Sequence, residues 1–532
     1  MTTMHDGPMT TATTTQGDDV PAVHRDLRAA AAGAVAVLAA FGVSELIAGI
    51  LPGATSLVAA VGQAIIDRQP PGAKDLVVGL FGTNDKLAFE LFIVTVGAVI
   101  GALLGLLARR HFNLAAAGFI AFGVLGFLAT LSDPLANPAI VAASAAVAVG
   151  IALWLLGWFL GNESTGSTGP SRATMPDWSR RTFLLRTGAV GVGAVVAGIG
   201  GRRLLERQQV APAGAGAAIP PASGTVAALA SGADLSPTTP DLTPIVIPND
   251  RFYRIDTTLL TPSVDTAGWT LRIHGLVDRE TTLTWDELIH LPMFEQYVTI
   301  SCVSNEVGGN LVGNAKWTGV RLRDVLALAG VQSSATQLIG RSVDGWTAGM
   351  PMEWVMDPAR EPMIAVKMND EALPPIHGYP ARLIVPGLYG YVSATKWLTD
   401  LEVTTWDAFD GYWITKGWSK KGPILTQSRI DTPQDGSSVT GRIAIAGVAW
   451  APDRGIAKVE VAIDGTWRDA RLSMPISNAT WVQWVADWDV TPGDHTIQVR
   501  ATDGKGETQT DTRTPPAPDG ARGWDTAYVR GA

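Results

Sequence analysis

Four long apolar stretches constrain the fold of this chain more than any other feature of its sequence. They run over 29–51, 88–108, 114–131 and 138–160. Each is close to the length of about 20 residues that a helix needs to cross a bilayer, and their many Gly and Ala residues suit close contact between helices. The stretches predict a bundle of membrane-spanning helices, and the alternative is a set of buried helices in a large soluble domain.

Basic residues indicate the orientation of this bundle, because short cytoplasmic loops carry an excess of Lys and Arg. Arg109 and Arg110 lie between the second and third stretches, and further arginines follow the fourth. We therefore expect a cytoplasmic N-terminus and an external loop over 52–87, although that loop has basic residues of its own. Glu45, in the first stretch, is either a functional intramembrane carboxylate or a residue near the outer interface.

The sequence Ser-Arg-Arg-Thr-Phe-Leu at 179–184 has the form of a twin-arginine export signal, S-R-R-x-F-L, and adjoins a fifth apolar stretch at 183–200. Such a pair of arginines is an address read by a receptor. The alternative is an ordinary basic flank of a membrane helix. The export pathway carries folded proteins, often with their cofactor already inserted, so the signal predicts that the residues after 201 lie outside the cytoplasmic membrane.

The rest of the chain changes character after an Ala- and Pro-rich segment. Short alternating strands and one helical pattern predict an α+β domain, and a terminal region with period-two alternation predicts a small β-sandwich. The chain is therefore predicted to be multi-domain, with an N-terminal all-α transmembrane region of about five helices. The predicted segments are a disordered N-terminus (1–28), a four-helix transmembrane region (29–160), the export motif with a fifth helix (161–204), a linker (205–245), a catalytic domain (246–424) and the sandwich (425–532).

Composition excludes several classes of function. A net charge of −9 argues against nucleic-acid binding, which normally needs a basic face. The single cysteine excludes a disulfide framework, a cysteine-based zinc cluster, a four-cysteine iron–sulfur site and covalent haem attachment. The mean hydropathy of +0.19 fits a chain that is partly embedded in a membrane.

Cys302 lies where an apolar strand ends in a polar loop. Its thiolate would suit a transition metal, although a free cysteine is more often a small buried hydrophobic residue. The run 301–325, in which the cysteine loop is followed by W-x-G-V-x-L-x-D-V-L, resembles the molybdenum-cofactor domain of the sulfite oxidase family. Similar motifs follow the family's order at 252–256, 377–387 and 396–398.

The resemblance, which covers 246–532, implies roles for individual residues. Cys302 would bind the molybdenum of a molybdopterin cofactor directly, and Arg254 and Tyr412 would act with it on the substrate. Tyr412 could instead be a packing aromatic. Arg and Lys suit the cofactor's terminal phosphate. The implied cofactor contacts are Tyr253, Arg254, Asp344, His377, Arg382, Ala394, Thr395 and Lys396.

The chain fully matches neither of two branches of this family. Sulfite oxidases carry Arg-Asn-His where this chain has 254–256, and Asn-Arg-Arg where it has 304–306. Loss of that basic pair and the new Glu306 weaken the anion pocket expected for sulfite, although Arg254 and Arg382 could still hold an oxyanion. The bacterial methionine sulfoxide reductase branch has a glutamate at the position of Arg254 and an asparagine at the position of His377. These departures leave open sulfite, an S-oxide or an N-oxide as the small-molecule substrate.

We therefore expect a membrane-anchored, extracytoplasmic oxidoreductase that transfers an oxygen atom with two electrons. One cysteine cannot form a haem-attachment motif or a cysteine-ligated iron–sulfur site, and no histidine lies well inside a membrane stretch to bind haem b, so we expect neither haem nor an iron–sulfur cluster in this chain. A separate redox partner, such as a cytochrome or a quinone-linked subunit, is then implied. The terminal domain resembles the family's immunoglobulin-like dimerisation domain and implies a homodimer. The alternative function is a non-catalytic membrane scaffold or transport protein with a ligand-binding outer domain.

Overall fold

The computed structural model describes residues 22–69, 85–131, 133, 135–161, 178–208 and 219–532. Most of the predicted disordered N-terminus lies outside these residues, as do part of the loop between the first two apolar stretches and the first part of the predicted linker. The chain forms two compact units, one comprising 1–62, 86–131 and 136–204, and the other comprising 63–85, 132–135 and 205–532.

The first unit is helical. Helix α1 begins inside the segment whose polar composition predicted disorder, and the later helices follow the apolar stretches closely. Its helices are α1 (Ala22–Ile50), α2 (Leu57–Asp67), α3 (Asp85–Ala108), α4 (Phe112–Thr130), α5 (Pro138–Leu160) and α6 (Arg180–Gln208). The last five residues of α2 belong to the second unit.

Among the described residues, five helices are long and apolar enough to cross a membrane. Large apolar side chains on them face outward, for example Leu125 and Trp154, which are 62% and 66% exposed. An exposed apolar surface of this extent is unfavourable in water. It suits helices that are surrounded by lipid.

Glycines allow two of these helices to pack closely. A Cβ atom at Gly33 of α1 would lie 2.0 Å from the carbonyl oxygen of Gly101 on α3, and one at Gly105 would lie 2.1 Å from the carbonyl oxygen of Ala29. Larger residues could not be accommodated without moving the backbone. Small residues at the contact therefore allow α1 and α3 to approach, as the composition of the stretches predicts.

Several polar groups inside this unit have partners. The Ser56 hydroxyl donates a hydrogen bond to the carboxylate of Glu45, and Arg202 forms an ion pair with Glu90 at 2.8 Å. The Ser179 hydroxyl accepts a hydrogen bond from the Thr182 amide at 3.2 Å. The serine of the arginine motif therefore caps the first turn of α6.

The second unit begins its regular structure with two sheets, the first mixed and the second antiparallel. One has the strand order β2-β1-β10-β5-β6, and the other has the order β3-β4-β7-β8 with β9 also paired to β7. Their elements are β1 (Thr270–Gly275), β2 (Thr281–Thr284), α7 (Trp285–Ile289), β3 (Met293–Ser301), β4 (Val312–Arg321), α8 (Leu322–Ala327), β5 (Gln337–Ser342), β6 (Thr347–Pro351), α9 (Met352–Val355), β7 (Met363–Met368), β8 (Glu371–Ala372), β9 (Arg382–Ile384), α10 (Gly390–Ser393) and β10 (Leu398–Thr404).

Burial explains why these sheets hold their register. Strands β4 and β7 are buried on both faces, and Trp317 on β4 is fully buried against the carbonyl of Val298 on β3, to which its indole nitrogen donates at 3.2 Å. A one-residue shift would place polar side chains in this core. The end of β3 at Ser301, next to Cys302, is therefore held rigidly.

Residues 219–245 of the predicted linker pack within this unit. Ile219, Leu235 and Ile245 are buried, and the amide of Leu235 donates to the side chain of Gln483 at 2.6 Å. The Ala- and Pro-rich composition of this segment does not favour regular strands. Its few large apolar side chains are nevertheless buried. Residues 219–245 are thus an ordered segment that contacts the β-rich regions of this unit.

A two-sheet β-sandwich ends the chain, with strand orders β11-β13-β17-β16 and β12-β19-β18-β14-β15. Asp464 and Gly465, with φ of 50° and 80°, join β14 and β15 in the tight hairpin that their sequence predicts. The strands are β11 (Gln427–Thr432), β12 (Ser438–Val439), β13 (Arg442–Trp450), β14 (Ile456–Ile463), β15 (Thr466–Asp469), β16 (Arg471–Leu472), β17 (Val482–Asp489), β18 (Gly493–Asp503) and β19 (Asp525–Gly531).

Candidate functional site

A cavity with an empty volume of about 1110 Å³ opens beside Cys302 in the second unit. Loops at the ends of several strands converge on it, so its wall is assembled from residues far apart in sequence. Its lining residues are Gln69, Phe252, Tyr253, Ile255, Asp256, Thr257, Ile300, Cys302, Val303, Ser304, Ser342, Asp344, Trp346, Arg382, Gly390, Tyr391, Ala394, Lys396, Trp397, Trp413, Lys416 and Trp418.

Cys302 directly follows β3, as the apolar run before it predicts. Its amide donates to the carbonyl of Leu311 at 2.9 Å, and its carbonyl accepts from the amide of Asn305 at 3.1 Å. Both hydrogen bonds fix the backbone of the loop that carries the thiol. The cysteine is 8% exposed, so its side chain is presented to the cavity and shielded from bulk water.

Arg382 brings a buried positive charge to the cavity wall. It is 3% exposed, and its Nη1 donates to the carbonyl of His377 at 3.0 Å. Its buried Nε has no hydrogen-bond partner among the described residues. Burial lowers the pKa of Arg382 to about 10, with a smaller opposing influence from Tyr253. A buried cation with an open donor requires an anionic acceptor to be fully satisfied.

Lys396 supplies a second buried cation. Its Nζ lies 3.2 Å from a carboxylate oxygen of Asp256 and donates to the carbonyl of Ile376 at 2.9 Å. Burial lowers the pKa of Lys396 to about 8, and the opposing attraction of Asp256 is smaller. Protonation of this amine is therefore sensitive to any anion that enters the cavity.

Arg254 lies outside the lining of the cavity. Its Nε pairs with the same Asp256 oxygen at 2.9 Å, and its Nη2 donates to the Thr261 hydroxyl at 3.1 Å. Asp256, which sequence reasoning treated only as a departure from the family motif, thus joins Arg254 to Lys396. Its carboxylate offsets part of the positive charge at this side of the cavity.

His377 is buried behind the cavity wall and does not line it. Its Nε2 lies 2.9 Å from the carbonyl oxygen of Asn249, so this nitrogen carries the proton and donates. Burial, followed by the charges of Lys396, Arg382 and Arg254, lowers the pKa of His377 to about 3. The imidazole is therefore neutral, and the backbone carbonyl of His377 orients Arg382.

The remaining predicted contacts fall into two groups. Tyr253, Asp344 and Ala394 line the cavity. Burial raises the pKa of Asp344, which accepts a hydrogen bond from the amide of Trp346 at 3.0 Å. Thr395 is fully buried beneath the wall, and its hydroxyl donates to the carbonyl of Gly340 at 3.5 Å.

Tyr412 lies at the edge of the cavity, next to lining residue Trp413. Its hydroxyl donates to the carboxylate of Asp67 at 3.4 Å. Burial, with help from the Asp67 charge, raises the pKa of Tyr412, so the phenol stays protonated at neutral pH. Sequence reasoning did not find the neighbouring Lys416, or Gln69 and Asp67 from the N-terminal half of the chain.

Protein side chains alone offer few metal ligands. Among the described residues, no group of three or more His, Cys, Asp or Glu side chains could hold a metal ion. A metal bound by Cys302 would thus need its other ligands from a cofactor. The unpartnered Nε of Arg382 and the buried amine of Lys396 suit an anionic cofactor that extends from the cysteine, so the residues present fit such a group.

Two family profiles match the second unit. Residues 258–413 match the family described as an oxidoreductase molybdopterin binding domain, and residues 427–499 match a bacterial Ig domain. The two matches fall on the α/β region around the cavity and on the terminal β-sandwich, respectively.

Two relatives that match part of this chain agree with this assignment. The uncharacterized oxidoreductase YuiH of Bacillus subtilis is 33% identical over 166 residues, which are 31% of this chain and 80% of the relative. Mitochondrial sulfite oxidase of Homo sapiens is 29% identical over 320 residues, 51% of this chain and 58% of the relative. The chain thus spans little more than half the length of that enzyme. The solved sulfane dehydrogenase SoxCD of Paracoccus pantotrophus is 24% identical, with a TM-score of 0.47, over 54% of this chain and 81% of that one.

Proposed function

This chain belongs to the sulfite oxidase family of molybdopterin-binding oxidoreductases, and from that premise we propose that it is a membrane-anchored enzyme that acts outside the cytoplasm. The proposed reaction is two-electron oxygen-atom transfer on a small substrate, either sulfite or an S- or N-oxide. The alternative of a non-catalytic scaffold has no support from a specific contact.

One arrangement of residues carries the proposal. Cys302 faces a cavity in which the buried Arg382 has an unpartnered Nε. A soft thiolate would suit the metal of a dithiolene cofactor, and an unsatisfied guanidinium would suit the anionic part of the same cofactor. A scaffold that bound a neutral ligand would gain nothing from an open buried cation.

The bound molybdenum cofactor would supply the two-electron redox and oxo-transfer chemistry. We propose that Cys302 binds the metal and that Arg382 and Lys396 neutralise the anionic part of the cofactor. The other proposed contacts act at the pterin or by supporting those cations. They are Tyr253, Arg254, Asp344, His377, Ala394 and Thr395.

The protein's own residues would control charge around the reacting group. Tyr412, held protonated, would donate a hydrogen bond when the substrate draws it from Asp67. Arg254 would act through Asp256, because its guanidinium is directed to that carboxylate. The hydrogen-bonded backbone on both sides of Cys302 would keep the thiolate in place while charge moves.

Two observations support the membrane topology. Five of the described helices are long and apolar enough to span a bilayer. Residues 63–69 lie in the loop that the sequence places outside, and they form one compact unit with the residues that surround Cys302. An exported domain after the twin-arginine motif would lie on that same side of the membrane.

Electrons must then pass to or from another protein. We propose that this chain carries neither haem nor an iron–sulfur cluster and that a cytochrome or a quinone-linked subunit is its redox partner. The terminal sandwich, with its bacterial Ig-domain profile, would form the contact of a homodimer.

Metal content and turnover test the proposal together. The full-length protein, produced with cofactor supply, should contain about one molybdenum per chain and turn over sulfite, a sulfoxide or an N-oxide with an artificial electron carrier. Cys302→Ser should abolish turnover with an unchanged circular dichroism spectrum. Asn310→Asp, at an exposed position of the same loop that does not line the cavity, supplies a control and should keep measurable turnover. Wild-type protein without molybdenum, or full activity in Cys302→Ser, would contradict the proposal.

A further inference from the structure

A short segment from the N-terminal half of the chain reaches the cavity. Residues 63–69 belong to the same compact unit as the residues around Cys302, and Gln69 lines the cavity itself. The side-chain oxygen of Gln63 accepts a hydrogen bond from the amide of Leu259 at 3.3 Å. The segment is thus fastened to the loop that begins at lining residue Thr257.

Asp67, the last residue of α2, makes the closest polar contacts of this segment. Its carboxylate accepts from the Tyr412 hydroxyl at 3.4 Å and from the side chain of Gln63 at 3.0 Å. Its carbonyl accepts from Nζ of Lys416 at 3.1 Å. A cation at the C-terminus of a helix is favourable, because the last carbonyls carry a partial negative charge.

Lys416 and Tyr412 form a pair at the rim of the cavity. Lys416 lines the cavity, and its Nζ lies 4.8 Å from the centre of the Tyr412 ring. Tyr412 donates to the carboxylate of Asp67, whereas Lys416 donates to its backbone carbonyl, so only the Tyr412 contact involves the Asp67 side chain. Asp67 thus places a carboxylate beside a phenol donor at the rim.

We propose that residues 63–69 are part of the substrate-binding wall and that Asp67 is a positioning residue that selects against anionic substrates. This inference rests on the proposed oxo-transfer function and specifies its substrate class as neutral. The segment lies between the first two candidate membrane spans in sequence, so the proposal also gives that region a role in specificity.

The physical reason is the negative charge of Asp67. The phenol of Tyr412 has a single O–H donor, and any substrate oxygen, neutral or anionic, must compete with Asp67 for it, so this hydrogen bond does not distinguish the two classes. An Asn side-chain oxygen at position 67 would accept the same hydrogen. The Asp67 carboxylate repels an approaching anion, whereas it exerts no net Coulomb force on a neutral sulfoxide or N-oxide. A neutral substrate therefore loses less binding free energy than sulfite when it approaches the Asp67 side of the cavity.

Substitution of Asp67 tests this selection in the full-length holoenzyme. Asp67→Asn should tighten the binding of sulfate, used as an inert dianion in calorimetric titrations, by about three- to ten-fold, which is the scale for one unit charge at roughly 10 Å in a hydrated rim. The KM for sulfite should fall by a similar factor. The kcat for sulfite and the KM for dimethyl sulfoxide should stay within about two-fold of wild type.

Two further variants sharpen the comparison. Gln69→Glu adds a charge at the same wall and should weaken sulfate binding by about the same factor by which Asp67→Asn tightens it. Asp286→Asn removes another exposed carboxylate, on α7 and outside the cavity lining, and should leave the dissociation constant of sulfate unchanged.

The outcomes separate this inference from the proposed function. A molybdenum-loaded wild type that turns over none of these substrates would refute the proposed function. The sulfate titrations would still test whether Asp67 weakens the binding of anions. Sulfate binding that is equal in wild type, Asp67→Asn and Gln69→Glu would overturn the inference, even if the enzyme were active. A fall in kcat with no change in KM in Asp67→Asn would also overturn it, because that pattern indicates a role in the chemical step.

Discussion

Replacing Arg382 by methionine should stabilise the cofactor-free protein and remove its ability to hold the cofactor. Burial lowers the pKa of this guanidinium from 12.5 to about 10, which corresponds to about 3 kcal/mol at about 1.4 kcal/mol per pKa unit. At pH 7 the side chain is protonated in both the folded and the unfolded state. The whole penalty therefore opposes folding when no anion is bound.

Two lost contacts offset part of this gain. Arg382 donates to the carbonyl of His377, and its guanidinium lies 5.1 Å from the centre of the Trp317 ring. These interactions are worth about 1 kcal/mol and about 0.5–1 kcal/mol, respectively. The net stabilisation is then about 1–2 kcal/mol, and the Tm of the cofactor-free protein should rise by about 2–8 °C.

Thermal unfolding and metal analysis measure the two effects. The full chain is purified in detergent from cells that cannot make the cofactor and, separately, from cells that can. Arg382→Met should have the higher Tm in the first preparation and less than about a tenth of the wild-type molybdenum in the second, because one buried charged hydrogen bond to a phosphate is worth roughly 2 kcal/mol or more.

Arg429 provides a matched control. It is also buried, but its guanidinium has partners at all three nitrogens, in Asp431, Gly309 and Thr243. Arg429→Met leaves the buried Asp431 carboxylate without its ion-pair partner, although the Thr243 amide still donates to it, and should destabilise the protein by about 3–5 kcal/mol. The reasoning is refuted if Arg382→Met lowers the Tm as Arg429→Met does, or if it keeps its full molybdenum content.

Three further predictions concern other parts of the chain. The folded-state pKa of Lys396 is lowered from 10.5 to about 8, so between these pH values the folded state binds fewer protons than the unfolded state. The Tm of the cofactor-free wild type should therefore rise over that pH window, and the Tm of Lys396→Met should not. Trp481 is fully buried, and its indole nitrogen donates to the carbonyl of Ile245 at 2.9 Å, so Trp481→Ala should cost about 3–5 kcal/mol in a thermal or denaturant unfolding assay. A reporter enzyme fused after residue 210 should be active outside the cytoplasmic membrane and should lose that location when Arg180 and Arg181 both become lysine, whereas an unchanged location would exclude the export signal.

Local patterns in the sequence were enough to predict several features of the fold. The hydropathy of the apolar stretches predicts the long helices, because a span needs only composition and length. The alternation before Cys302 predicts a strand that ends at the cysteine, and β3 ends at Ser301. The Asp464–Gly465 turn predicts the β14–β15 hairpin for the same reason, since each signal lies within a few residues of its consequence.

Features that depend on distant contacts could not be predicted in this way. Tyr412 and Asp67 are 345 residues apart in sequence, and no local pattern relates them. The open Nε of Arg382 depends on which groups fail to reach it. The pairing of Arg254 with Asp256 was not predicted either, because two residues in an irregular loop do not define the direction of a side chain.

The claim that Cys302 binds molybdenum is tested most directly by X-ray absorption at the molybdenum edge. The measurement compares the full-length wild type with Cys302→Ser, both produced with cofactor supply. We predict that the molybdenum in the wild type has one sulfur ligand more than the molybdenum in Cys302→Ser. An identical number of sulfur ligands in the two proteins would contradict it.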